Sequence, residues 1–563
     1  MGSLKSEIRA AITSALHSAA EASRVTLGLP EGADLPEFAV NTPREEKFGD
    51  ISTNIAMQMA KLARRPPREA AEIILERFDY NRCSWVDKVQ VAGPGFINFY
   101  LRPGWLSEAL RQVVLQGESY GRATIGGGRE VNVEFVSANP TGLLHMGNAR
   151  GAALGDSIAA LLNFCGFKVT REFYINDTGY QIERLASSLE ARYFQEFGED
   201  IPVPEDGYHG TDLVDTVRRF IAKTGDVYRG VPGAQRREAL ADFAVQDKIA
   251  AIREALESFG VRYDVWFSEK ELHAKGAVRE IVQALTGAGA TYEFEGALWF
   301  KAREYGADKD EVLIRSTGAA TYFAADIAYH VDKFKRGFTW LINVWGADHH
   351  GHVPRLKAGL KALGYDPDRL QVVIMQLVRL FRGGEIVRMS KRTGEFVTLD
   401  ELLEEVGRDA ARYFFVLRGA DSHLDFDLDL ARSQSMENPV YYVQYAHARI
   451  ASLFRQLALK NKELPDAASV NLDVLSAEEE ERLIKKLADF PEEVVDAALD
   501  LAPHRLTSYI YEVAGLFHAF YNVHRVIGAG PGLEEARLVL VQAAGIVIRQ
   551  ALGLLGISAP EKM

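Results

Sequence analysis

The chain has 563 residues, 47% of them hydrophobic, and a formal net charge of -13. That size and composition fill about three or four ordinary domains and exclude a polyanion-binding surface spread over the whole protein. Cys83 and Cys165 alone give neither a disulfide framework nor a thiolate zinc site, and reduced thiols suit a cytoplasmic protein; no run of about 20 uncharged apolar residues predicts a membrane span.

Leu4, Ile8, Ile12 and Leu16 recur every fourth residue, the stripe of an amphipathic helix. A loop beginning at Phe48 feeds a second helix, and Phe96-Ile-Asn-Phe-Tyr-Leu101 reads as an aromatic-rich strand after Gly93-Pro94-Gly95. Residues 1–120 therefore read as an α/β module. The glycine-rich linker 121–128 that follows lacks the spacing of a phosphate loop.

Val131, Val133 and Phe135 alternate with Asn132 and Glu134, a strand pattern. Asn139-Pro140-Thr141-Gly142 ends it. From about Met146 the period becomes helical, with Leu154, Ile158, Leu161 and Leu162 on one face and Gly166 at the stop. Residues 167–175 read as the next strand. The result is a βαβ unit, whose strand C-termini are where open α/β sheets bind ligands. His145, Gly147 and Asn148 stand at the helix entrance, where free N–H groups and a partial positive charge suit a phosphate.

Residues 183–275 read as a mostly helical insertion. Beyond it, Tyr322 and Asp326 lie four apart, hence on one face of a helix. Residues 341–345 form a buried strand that ends in Gly346-Ala-Asp-His-His-Gly-His352, a run with the chemistry of a metal site. A loop then carries Arg388-Met389-Ser390-Lys391, and from about Glu437 the pattern is helical to the end.

Leu144-His145-Met146-Gly147-Asn148 resembles the first signature of class I aminoacyl-tRNA synthetases. The longer run Asn-Pro-Thr-Gly-x-Leu-His-x-Gly-x-Ala-Arg-Gly, residues 139–151, looks like arginyl-tRNA synthetases in particular, and Arg388–Lys391 resembles the second class I signature. Two departures stand out. Asn148 replaces the last histidine of the first signature, and Arg388 the first lysine of the second. The resemblance implies a multidomain α/β fold. A Rossmann-like nucleotide-binding catalytic domain would span 121–436, flanked by a tRNA-contacting α/β module over 1–120 and an α-helical anticodon-binding bundle over 437–563.

It also implies the substrates ATP, L-arginine and tRNA(Arg), with Mg2+ entering on ATP, in a cytoplasmic monomer that needs no membrane. Carried over position by position, the catalytic residues are His145, Asn148 and Lys391. Gly147, Arg388, Met389 and Ser390 join them around ATP. Glu134, Asn139, Tyr322, Asp326 and His349 would hold arginine, and Asn98 and Tyr521 would meet tRNA. Arg218, Arg219, Arg236 and Arg237 are further candidates for acceptor-stem phosphates. The 348–352 run becomes the loop beneath adenosine rather than a metal site. On residue chemistry alone, Glu134 and Asp326 read as surface acids or internal ion pairs, and Asn148 can be a local helix cap. A catalytically inactive tRNA-binding paralogue and another class I synthetase are the alternatives.

Overall fold

A computed structural model describes residues 4–29, 34–43, 45–387 and 397–563. Its centre is a parallel sheet of five strands: β1 (Glu130–Glu134), β2 (Lys168–Ile175), β3 (Val265–Ser268), β4 (Trp340–Gly346) and β5 (Leu370–Met375). They lie side by side in the order β5-β4-β1-β2-β3. The chain builds outward from β1 through β2 to β3, then returns to the other side of β1 for β4 and β5. The reversal opens a crevice at the C-terminal ends of β1 and β4.

The alternation along β1 suggested one polar face, yet Val131, Asn132, Val133 and Glu134 are all buried. Both faces of a parallel sheet are covered, so the polar residues need internal partners. Asn132 Nδ2 donates to Glu172 Oε2 at 3.0 Å, and Glu172 also takes a bidentate pair from Arg336 at 2.6 and 2.8 Å. Helix α1 (Met146–Phe164) crosses from β1 to β2, and Gly166 follows its end in the left-handed region at φ +84°. Gly155 lets α1 lie directly on the strand end: a Cβ there would come within 2.2 Å of Phe135 Cγ.

The stretch 183–275 is mostly helical, as its sequence reads, with one strand near its end that the reading did not include. Helices Tyr180–Glu196, Asp212–Thr224 and Gly233–Ser258 pack on a small core of their own around Leu189, Tyr193, Val217 and Phe220. Val265–Ser268, however, is β3 of the central sheet, and four residues are too few to show a period against helical neighbours. Arg218, Arg219, Arg236 and Arg237 each pair with a carboxylate of these helices, Glu196, Asp247 and Glu190 among them. A three-stranded antiparallel sheet over residues 291–314 follows, again from four-residue strands, before α2 (Tyr322–Lys335). Helix α3 (Val353–Ala362) connects β4 to β5.

The N-terminal module pairs helix Leu4–Leu27 with a four-stranded antiparallel sheet that includes Phe96–Leu101. The C-terminal part packs four helices, Pro439–Leu459, Glu478–Leu499, His504–Val523 and Leu533–Leu554. The last is long and apolar enough to cross a membrane, but most of it is buried inside this bundle. Arg412 ties bundle and sheet together. Its buried guanidinium donates to Leu555 O at 2.8 Å, Phe259 O at 3.3 Å and Asp156 Oδ2 of α1 at 2.6 Å.

Candidate active site

The chain leaves β1 through a strained turn. Val136 and Ser137 have φ of +68° and +40°, a region costly for any residue with a Cβ and more so for a β-branched one. Ser137 N donates to Phe135 O at 2.9 Å, closing a γ-turn on Val136. The Ser137 hydroxyl then holds the turn, donating to Glu134 Oε1 at 3.0 Å and accepting from Tyr174 N at 3.1 Å. Strain of roughly 1–3 kcal/mol per such residue persists only where its surroundings over-determine it. Here it delivers Asn139 and the following loop to the crevice.

His145 caps α1. Its Nδ1 accepts from Gly147 N at 3.1 Å, and Asn148 Oδ1 accepts from His145 N at 3.1 Å. The helix-cap reading of Asn148 is thus realised, and its NH2 group is left to donate. An unprotonated Nδ1 is that of a neutral imidazole, and burial lowers the His145 pKa in the same sense. Leu144 and Met146 are laced to Val397 and Leu399 by backbone hydrogen bonds. Two residues beyond Asn148, the buried Arg150 donates to Gln376 O at 2.7 Å and Gly419 O at 2.9 Å, fixing α1 to the chain after β5; burial brings its pKa down to about 10, still cationic at neutral pH.

A cavity of about 680 Å3 opens here, a size suited to a nucleotide with a small second ligand. Asn139, His145, Gly147, Asn148 and His349 share its wall. Sequence reasoning missed Met375 and Leu377, which line it at and just beyond the end of β5; Leu377 is 72% exposed, an apolar side chain open to the cavity. Arg388, Met389, Ser390 and Lys391 lie outside the described residues, whereas Val387 and Val397 on either side both line the cavity. Among the described residues no cluster of three or more His, Cys, Asp or Glu is arranged for a metal ion.

Glu134, Tyr322 and Asp326 do not line that cavity; Glu134 adjoins it through its hydrogen bond with Ser137, which does. Glu134 stands beside Asn343 in the sheet register, and Lys333 of α2 reaches both, Nζ donating to Glu134 Oε2 at 2.6 Å and Asn343 Oδ1 at 3.4 Å. That orients the amide, so Asn343 Nδ2 donates to His330 Nε2 at 2.8 Å and His330 Nδ1 donates to Asp326 O at 2.8 Å. Burial and the Lys333 ammonium hold the His330 pKa well below its ordinary value, keeping this tautomer neutral. Asp326 Oδ2 accepts from His352 Nε2 at 2.8 Å. Tyr322 is 44% exposed, and Gly179 leaves room for its hydroxyl: a Cβ there would sit 3.0 Å away. Facing them is Glu269, also missed. It is buried against Tyr174 and His273, and that burial pushes its pKa up. Its six-residue helix carries no motif of its own.

Two further surfaces hold the remaining candidates. Asn98 is buried in the N-terminal sheet, its Oδ1 accepting from Ser52 Oγ at 2.7 Å, and it lines a cavity of about 550 Å3 with Phe48, Pro94 and Phe96. Tyr521 lies in the C-terminal bundle with the Arg449 guanidinium 4.4 Å from its ring centre.

Residues 4–101 match the family model described as "Arginyl tRNA synthetase N terminal domain", residues 109–417 that of "tRNA synthetases class I (R), catalytic domain", and residues 443–563 that of "DALR anticodon binding domain". The chain is 63% identical over 564 residues to an arginine–tRNA ligase of Desulforudis audaxviator, with both chains fully covered. The chain belongs to the arginyl-tRNA synthetase family. An arginine–tRNA ligase of Moorella thermoacetica is 56% identical over 559 residues, 99% of each chain. The arginyl-tRNA synthetase structure of Thermus thermophilus superposes with a TM-score of 0.75 at 26% identity, covering 98% of this chain and 99% of that one. The synthetase is therefore an arginine–tRNA ligase that uses ATP, with a class I catalytic domain and an anticodon-binding helical domain. The inactive-paralogue alternative is not favoured.

Proposed function

We propose that the cavity at the ends of β1, β4 and β5 joins arginine to ATP, and that the groups around Asp326 select arginine. In the first step an arginine carboxylate oxygen bonds to the α-phosphorus as the bond to pyrophosphate breaks. In the second, a hydroxyl of the terminal tRNA ribose attacks the arginyl carbonyl and AMP leaves. The observation that carries this reading is the shared cavity wall of Asn139, His145, Gly147, Asn148 and His349, set at a helix N-terminus.

In this reading the backbone N–H groups at the start of α1, with His145 and the Asn148 amide, stabilise charge developing on the α-phosphate. Lys391, supported by Arg388, Met389 and Ser390, takes the pyrophosphate side; the cavity-lining Val387 and Val397 at either end of that segment support the assignment. Leu377 and Met375 offer apolar surface to adenine. Asn139 and His349 hold the arginine backbone, and Tyr322, Asp326 and Glu269 face its guanidinium. Glu134 adds an acid whose charge Lys333 balances, so the surplus negative charge rests on Asp326 and Glu269. Asn98 and Tyr521 would each meet tRNA, the ring of Tyr521 as a stacking surface. Mg2+ arrives chelated by ATP, and the enzyme works as a cytoplasmic monomer, consistent with two buried free thiols.

The protonation state of His145 tests the phosphate assignment. A pKa lowered by burial keeps the ring neutral as pH falls to 6.5. The kcat/KM for ATP should stay flat from pH 8 down to about 6.5, and His145→Asn should remove the acidic limb below it. An acidic limb at or above pH 6.5 that survives the substitution would overturn the role given to His145.

A further inference from the structure

The imidazole of His352 lies against Asp326 from across the pocket. His352 ends the turn after β4 whereas Asp326 belongs to α2, and Nε2 donates to Oδ2 at 2.8 Å. The ring is wedged, with Phe323 edge-on at 5.7 Å and Trp345 tilted on it at 5.7 Å. Only 21% of the side chain is exposed. A carboxylate held through one oxygen by a wedged donor keeps its plane fixed. Oδ1 and the second lone pair of Oδ2 remain as acceptors.

The plane matters to one kind of cation. A guanidinium is a planar fork that pairs with both carboxylate oxygens when the two planes align, whereas an ammonium is a point charge indifferent to the tilt. Resting on the arginine assignment of Asp326 above, we propose that His352 is a positioning residue that fixes the carboxylate plane of Asp326 and so favours arginine over lysine. His352 need not touch the substrate to do this.

The test uses the full-length enzyme with tRNA and two variants, read by ATP–pyrophosphate exchange. His352→Phe keeps the ring packing and removes the donor, whereas His352→Gln keeps a donor. His352→Phe should raise the arginine KM roughly 10- to 100-fold, with kcat, the ATP KM and the inhibition constant of L-lysine changed less than about threefold. His352→Gln should recover most of the loss. Adding His352→Phe to Asp326→Asn should cost nothing further, because both act on one contact. If Asp326→Asn raises the arginine KM and His352→Phe does not, this inference alone fails. If Asp326→Asn leaves it unchanged, the arginine-pocket reading beneath it fails. Equal losses for arginine and lysine, or a fall confined to kcat, would overturn the positioning role.

Discussion

Asp326→Asn is expected to lower kcat/KM for arginine about 30- to 300-fold while leaving the ATP KM near wild type. The substitution keeps the shape of the side chain and exchanges a charged acceptor for an amide. Removing one partner of a hydrogen-bonded charge pair in a desolvated site costs on the order of 2–5 kcal/mol. Asp326 is 30% exposed in the free protein, which argues for the lower half of that range. The amide also presents an NH2 toward His352 or toward the guanidinium, both of which are donors. The check is steady-state exchange kinetics over arginine and ATP separately. An arginine KM within threefold of wild type would remove Asp326 from the pocket and leave Glu269 as its acid.

Lys333→Met is expected to destabilise the catalytic domain by about 3–5 kcal/mol, the usual consequence of leaving a buried charge without its partner. Lys333 is fully buried, and the Glu134 side chain is 6% exposed. The lost ammonium would leave Glu134 Oε2 and Asn343 Oδ1 without their donor. Combining Lys333→Met with Glu134→Gln should return most of the loss, because a buried pair is worth little over a neutral replacement. Trp266 of β3 and Trp340 and Trp345 of β4 report unfolding of this sheet by fluorescence in urea. A single variant within about 1 kcal/mol of wild type, or a double variant no better than the single, would contradict the pairing.

The site was legible to different depths for physical reasons. The entrance of α1 could be read because a strand, a Pro-Gly break, a glycine at a helix N-terminus and a histidine sit within one short stretch. Tyr322 and Asp326 were legible as one helix face, since four-residue spacing fixes that regardless of tertiary context. What Glu134 does was not: its partner Lys333 is 199 residues away and meets it only once α2 packs on the sheet. Glu269 and β3 were hidden because elements of four to six residues carry no period. The loop strain at Val136 is invisible in sequence, since a valine gives no sign that its backbone will turn left-handed.

The most direct test of the whole account is ATP–pyrophosphate exchange with each of the twenty amino acids, with and without tRNA. Exchange with arginine alone, lost in Asp326→Asn and retained for no other amino acid, is the result this structure predicts. Exchange with a different amino acid would keep the nucleotide cavity and discard the guanidinium pocket. No exchange under any condition would contradict the assignment of the β1–β4 crevice as the place where the amino acid is activated.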